Sequence, residues 1–174
     1  MHLNLRRREA ESLSFLVLFY RMDKVLIAEI VENYLKNSDK YLVSVKLEPG
    51  DRIVVEIDGD TPVSIGDCIA LTKHIESQFD RDSEDFELEV GSAGISGPFK
   101  VLRQYRNAVG KEIEILLKTG KKHSGILREA NENAVVLTVI KQVKPEGAKR
   151  KTTVEEDLGF DYNDIKYTKY IIRL

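Results

Sequence analysis

Leu88-Glu89-Val90-Gly91-Ser92-Ala93-Gly94-Ile95-Ser96-Gly97-Pro98-Phe99 separates two patterns of different kind in this chain. Phe86, Leu88 and Val90 alternate with Glu87 and Glu89, the period of a strand with one apolar face and one wet face. The residues after Val90 are too rich in glycine and proline for the interior of an element. Gly91, Ser92, Gly94 and Pro98 therefore read as an interdomain motif, a tight exit from the sheet into a hinge.

Upstream of this stretch, Ile27, Ile30, Val31, Tyr34 and Leu35 recur at helical spacing, which predicts a helix from Val25 to Leu35. Tyr41, Val43, Val45 and Leu47, then Ile53, Val55 and Ile57, alternate on either side of Pro49-Gly50-Asp51 and predict a hairpin. Ser64, with Asp67 three residues on, caps a second helix expected to bury Ile65, Cys68, Ile69, Thr72, Ile75 and Phe79. The order α-β-β-α-β predicts a small α+β sandwich over residues 22–98.

Downstream, a short helical piece from Val101 to Arg106 precedes a pattern of strands alone. Ile113, Ile115 and Leu117 alternate, Thr119-Gly120 turns the chain, and His123 to Glu129 returns with Gly125 inside it, where a bend or bulge is expected. Ala134 to Ile140 is almost continuously apolar, as in a strand enclosed on both sides, and Tyr167 to Arg173 supplies a last strand. Residues 99–174 thus read as a small all-β barrel of SH3-like or Sm-like type. Ile115, Leu117, Gly120, Gly125, Leu127, Asn131 and Asn133 also stand in the order of the first Sm signature, without the aspartate and aromatic partners of an RNA pocket. Lys144 to Glu156 lacks apolar periodicity and is expected to be a long, mobile hairpin loop. Residues 1–21 carry Arg6-Arg7-Arg8 and an apolar run, Leu13 to Tyr20, too short to span a bilayer and followed by no small-residue cleavage site. They are expected to be an unstructured upstream extension, with Met22 as the true start.

The net charge of −2 conceals a dipole along the sequence. Residues 22–100 hold 8 Lys and Arg against 17 Asp and Glu, a net of −9, whereas residues 101–174 hold 15 against 10, a net of +5. Arg103 and Arg106 near the junction, Lys121 and Lys122 in the first barrel hairpin, and Lys149, Arg150 and Lys151 in the later loop are the candidate RNA contacts, because phosphate binding is largely counterion release by such side chains.

The same inventory excludes several chemistries. One cysteine, Cys68, cannot form an internal disulfide, and with three scattered histidines it supplies no structural zinc set, which points to a reducing, cytoplasmic setting. There is no phosphate-binding glycine loop, nucleophile elbow, zinc-protease motif or dinucleotide fingerprint, so no catalytic residue, metal ligand, cofactor site or small-molecule substrate is assigned. Gly91-Ser92-Ala93-Gly94 has the form of the loop by which KH domains clamp nucleotides, but it leaves a strand and leads to a proline instead of joining two helices.

Leu88 to Phe99, followed by Tyr105 and by Val109-Gly110-Lys111-Glu112-Ile113, resembles the central motif of the RimP family of bacterial ribosome maturation factors, and Asp67-Cys68-Ile69-Ala70-Leu71 is similar to that family's second helix. The resemblance runs from Met22 to Leu174; it departs where Ala93 replaces a proline and where Ser96-Gly97 replaces an acidic-basic pair before Pro98. It implies a non-enzymatic, monomeric factor that binds the free small ribosomal subunit, meeting its RNA and a ribosomal protein of the decoding region. The alternative is a free-standing Sm-like RNA chaperone or regulator that acts independently of ribosomes.

Overall fold

The computed structural model describes residues 23–80, 85–143 and 152–173. It is mixed α+β, with three α-helices and two sheets among the described residues, and it divides between Ser92 and Ala93 into two units.

In the first unit, Asp23 caps helix α1 (Lys24–Leu35) by accepting a hydrogen bond from the Val25 amide, and the helix buries Ile27, Val31 and Leu35 at intervals of four. Strand β1 (Lys40–Glu48) turns through Gly50 and Asp51, both in the left-handed region, into antiparallel β2 (Arg52–Gly59). Helix α2 (Ile65–Glu76) starts in the expected capping box: the Ser64 hydroxyl accepts from the Asp67 amide at 3.1 Å, and the Asp67 carboxylate accepts from the Ser64 amide at 2.8 Å. The helix then carries the chain across to β3 (Glu87–Ser92), which lies parallel to β2 and so completes the order β1-β2-β3. One apolar cluster joins both helices to the sheet through Ile27, Val31, Val45, Ile53, Val55, Ile57, Leu71 and Ile75.

A buried lysine pins the start of β1 to the segment that leaves β2. The Lys40 ammonium, almost fully enclosed, donates to both Asp39 oxygens at 3.1 and 2.9 Å and to the Thr61 hydroxyl at 2.7 Å. Hydrogen bonds from Thr61 and Lys40 hold the Asp39 carboxyl at about 2. A buried ammonium this well partnered meets the condition under which such a charge is tolerated.

Three expectations for this unit need correction. A bulge between Leu42 and Ser44 shifts the register of β1 and sets Leu42 opposite Ile57, yet Tyr41, Val43 and Val45 are buried in the expected alternation; it is Leu47, expected on the same face, that is exposed. On α2 the buried stripe is Leu71 and Ile75; Ile65 and Ile69 are exposed and Cys68 is half-buried, because the sheet covers the face that carries Leu71 and Ile75. Gly91 and Ser92 belong to β3 and pair with Glu56 and Ile57, which the glycine content of the stretch argued against.

In the second unit, the short helix α3 (Leu102–Asn107) is closed by Gln104, whose side-chain oxygen accepts from the Lys100 amide at 2.8 Å. Five antiparallel strands follow: β4 (Glu112–Leu117), β5 (Lys122–Ala130), β6 (Ala134–Val143), β7 (Thr152–Asp161) and, after a 3-10 turn at Tyr162–Asp164, β8 (Ile165–Tyr170). Their order is β7-β6-β5-β4-β8, with β7 and β8 at the edges and no pairing between them among the described residues. The β4–β5 turn uses Gly120 at φ +86°, and the β5–β6 turn is closed by Asn131, whose side-chain oxygen accepts from the Asn133 and Ala134 amides.

Strand β7 corrects the loop expectation. Thr152 to Glu156 is ladder, running from Val143↔Thr152 to Val139↔Glu156, and its acidic, exposed side chains hid it from an apolar-periodicity reading; Lys144 to Lys151 lies outside the described residues. Strand β6 is not enclosed on both sides either: Val135, Leu137 and Val139 are buried, whereas Ile140 is 67% exposed.

Gly125 shows how closely β5 and β6 approach. A Cβ at this position would lie closer than 3.0 Å to the Thr138 carbonyl oxygen, a backbone atom that cannot swing away. Gly125→Ala should therefore lower unfolding free energy by about 2 kcal/mol or more in a urea melt, the cost of forced overpacking, while Gly159→Ala in β7, with open space around it, should change it by less than about 0.5 kcal/mol. Equal effects at the two positions would contradict the close strand approach.

Candidate nucleic-acid interface

The ladder between β4 and β8 sets the geometry of the basic end of the second unit. Ile113↔Tyr170, Glu114↔Lys169, Ile115↔Thr168 and Leu116↔Tyr167 pair regularly; the register then jumps to Leu117↔Ile165, leaving Lys166 as the bulged residue. The Lys118 amide donates to the Asp164 carbonyl at 2.8 Å, so the Lys118–Lys121 turn abuts the Tyr162–Asp164 turn. The Phe99 amide donates to the Thr168 carbonyl at 2.8 Å, which fixes the segment leading into α3 against β8.

These contacts form a groove of about 340 Å³ lined by Phe99, Lys100, Val101, Leu102, Tyr105, Glu132, Tyr162, Ile165, Lys166 and Tyr167. Its floor is an aromatic cluster: Phe99 meets Tyr105 edge to face at 5.0 Å, and Tyr105 meets Tyr162 at 5.1 Å. The Tyr162 hydroxyl donates to the Asn131 carbonyl at 3.0 Å. Burial pushes the Tyr162 phenol up to about 12, with Tyr105 beside it, and burial raises Tyr105 as well, so both rings are neutral at physiological pH.

The predicted basic residues divide by what they touch. Arg103 is half-buried on α3; Arg106 is exposed, with Glu132 at 4.0 Å. Lys121 is exposed on its turn, but the Lys122 ammonium lies 3.1 Å from Glu114. Arg128 pairs with Asp157, Lys141 with Glu156, and Arg173 with Glu112 at 2.6 Å. Among the described residues, no carboxylate lies within ion-pairing distance of Lys118, Lys121 or Lys166, so the positive charge left uncompensated there gathers at the groove end of the sheet. Lys149, Arg150 and Lys151 lie outside the described residues. Of the interdomain motif, Gly91 and Ser92 are strand, Gly94 has φ +67°, which accounts for its glycine, and Pro98 is exposed.

Lys100, Lys166, Tyr162 and Tyr167 were not among the sequence candidates. Only the β4–β8 pairing brings them to the Lys118–Lys121 turn, and nothing in local spacing reports that pairing.

The first unit presents the opposite sign. The Arg52 guanidinium is surrounded by Glu89, Glu87 at 3.5 Å and Glu48 at 3.5 Å, so one cation faces three carboxylates. Hydrogen bonding to Glu89, then the charges of Glu87 and Glu89, raises the Arg52 pKa. Among the described residues there is no cluster of His, Cys, Asp or Glu that could hold a metal ion, and no helix is long and apolar enough to cross a membrane.

Residues 30–96 match the family model described as the RimP N-terminal domain. The chain is 46% identical over 151 residues to the ribosome maturation factor RimP of Porphyromonas gingivalis, covering 87% of this chain and 99% of that protein. It is 35% identical over 135 residues to the protein of that name from Christiangramia forsetii, and 29% identical over 135 residues to that of Flavobacterium psychrophilum, covering 77% of this chain in each case and 87% and 88% of those proteins.

Glu114 provides a test of the charge arrangement on the sheet. Its carboxylate, only 15% exposed, accepts from Lys122 and from the Tyr167 hydroxyl at 3.1 Å and has Lys169 at 3.7 Å. The hydrogen bond from Lys122, first among these, holds its pKa below the ordinary 4.5. A carboxyl depressed in the folded state adds stability that is present above its unfolded pKa and is lost as pH falls through the folded value. The difference in melting temperature between the parent and Glu114→Gln should therefore shrink as pH drops below about 4.5; a constant difference would show that the carboxylate's charge contributes nothing.

Proposed function

The chain belongs to the RimP family of ribosome maturation factors, and from that membership we propose that it binds the free small ribosomal subunit during assembly and acts there without catalysis. The observation that carries this reading is 46% identity extending over 87% of the chain to a protein named for ribosome maturation.

In this reading the positively charged second unit meets ribosomal RNA, and the acidic first unit receives a basic ribosomal protein of the decoding region. The net charges of −9 over residues 22–100 and +5 over residues 101–174 support that division, since the acidic half repels phosphate and attracts Lys- and Arg-rich surfaces. Holding RNA and protein on one chain raises the effective concentration of each near the other, which is sufficient to promote assembly. The factor works as a monomer in the cytoplasm. The finer architecture we assign is a two-layer sandwich of helices on sheet for residues 22–98 and an SH3-like barrel for residues 99–174; the bulges in β5 and β8 and the close approach at Gly125, devices that curl a sheet, support the second.

Sucrose-gradient fractionation of lysate should find the protein with free small subunits and not with intact ribosomes; migration at the top of the gradient as a ring-sized oligomer bound to small RNAs would favour an Sm-like regulator instead. Replacing Lys149, Arg150 and Lys151 together by alanine should weaken association with purified small subunits most at low salt. Each lost phosphate contact should flatten the dependence of log affinity on log salt by roughly 0.7 to 0.9. An unchanged affinity and slope would move the RNA contact to Lys118, Lys121 and Lys166.

A further inference from the structure

We propose that the groove beside α3 holds an unpaired nucleotide of single-stranded RNA, its base against Tyr162 and its phosphate on Lys166 and Lys100. The inference rests on the maturation-factor reading and deepens it by naming the form of RNA that the second unit takes.

Four observations converge on this site. The groove, at about 340 Å³, has room for a nucleotide-sized ligand and none for a helical duplex. Tyr162 is a half-buried ring held from behind by Tyr105 at 5.1 Å and at its hydroxyl by the Asn131 carbonyl, so a base that stacks on it orders little that is not already ordered. Both phenols are neutral at physiological pH and offer aromatic surface instead of negative charge. Lys166 is the bulged residue of β8, exposed and lining the groove, and Lys118 and Lys121 stand on the adjoining turn with no carboxylate in ion-pairing distance among the described residues.

The charge of the rim selects the occupant. Lys100 and Lys166 line the groove against one carboxylate, Glu132, which has Arg106 at 4.0 Å. A basic peptide gains nothing from such a rim, and a neutral proline-rich peptide would leave the Lys166 ammonium unused. A duplex offers phosphates but no exposed base face, whereas an unpaired nucleotide offers both.

The test is fluorescence anisotropy of the full chain with a labelled single-stranded RNA octamer and with the same strand annealed to its complement. The parent should prefer the single strand. Lys166→Ala, an exposed substitution that leaves the fold intact, should weaken binding about threefold at low salt and flatten the salt dependence by roughly 0.7, one single-strand phosphate contact. Tyr162→Ala should weaken it about tenfold and Tyr162→Phe by less than about twofold, since stacking needs the ring and not the hydroxyl. Parent-like binding by Lys166→Ala, equal loss in Tyr162→Phe and Tyr162→Ala, or a stronger affinity for duplex would overturn the assignment. So would amide shifts at Lys100, Tyr162 and Lys166 caused by a proline-rich peptide and not by the octamer. If Lys166→Ala binds the octamer as the parent does while the chain still comigrates with small subunits, the groove assignment fails and the maturation-factor reading stands; loss of comigration in the parent chain defeats that reading whatever the octamer shows.

Discussion

The antiparallel ladder between β4 and β8 is the constraint on which the second unit depends. It joins the first strand of that unit to its last, from Ile113↔Tyr170 to Leu117↔Ile165, and so costs more loop-closure entropy than the hairpins between. Buried Ile113, Ile115 and Ile165 offset that cost by placing both strands over the same cluster as Leu127, Val135 and Leu137. The jump in register at Lys166 is the same ladder accommodating one extra residue, and it turns a lysine toward the groove. Fold and candidate interface in this unit are thus consequences of a single pairing.

The first unit solves a different problem. Its parallel β2–β3 pair needs a crossover, and α2, started by the Ser64–Asp67 box, provides it. The Lys40 clamp holds the edge of this sheet with one enclosed charge whose partners are all local to Asp39 and Thr61. The remaining charge stays on the surface, where Glu48, Glu87 and Glu89 outnumber the one guanidinium among them. A surface of this sign repels phosphate, and it is the basis on which we propose different partners for the two halves of the chain.

Local chemistry was legible in the sequence and long-range chemistry was not. The capping box at Ser64, the turn glycine at Gly120 and the alternation of Leu88 and Val90 all report neighbours within a few residues, and the structure has each of them in the expected role, whereas the bulge of β5 falls between Leu127 and Glu129 and Gly125 instead marks a close approach to Thr138. Strand β7 escaped because an edge strand with acidic, exposed side chains carries no apolar period, and its strand character comes from ten backbone pairings with β6. The buried face of α2 was misread because Ile65, Ile69 and Leu71 are equally apolar, and only the position of the sheet decides which is covered. For the interface, the basic character of residues 101–174 was visible by counting, but the groove was not: Lys100, Tyr162 and Lys166 are separated in sequence and meet only through β8.

These features describe a factor that segregates its charge by unit, with the basic unit offering an aromatic-floored groove at the end where, among the described residues, Lys118, Lys121 and Lys166 have no carboxylate within ion-pairing distance. The central claim is that RNA is met by residues 93–174. Ultraviolet crosslinking of the chain bound to purified small subunits, followed by mass-spectrometric mapping of the RNA-modified peptides, tests it most directly. The account predicts crosslinks in the peptides containing Phe99 to Arg106 and Tyr162 to Tyr167. Crosslinks confined to residues 23–92, with the second unit unmodified, would contradict it.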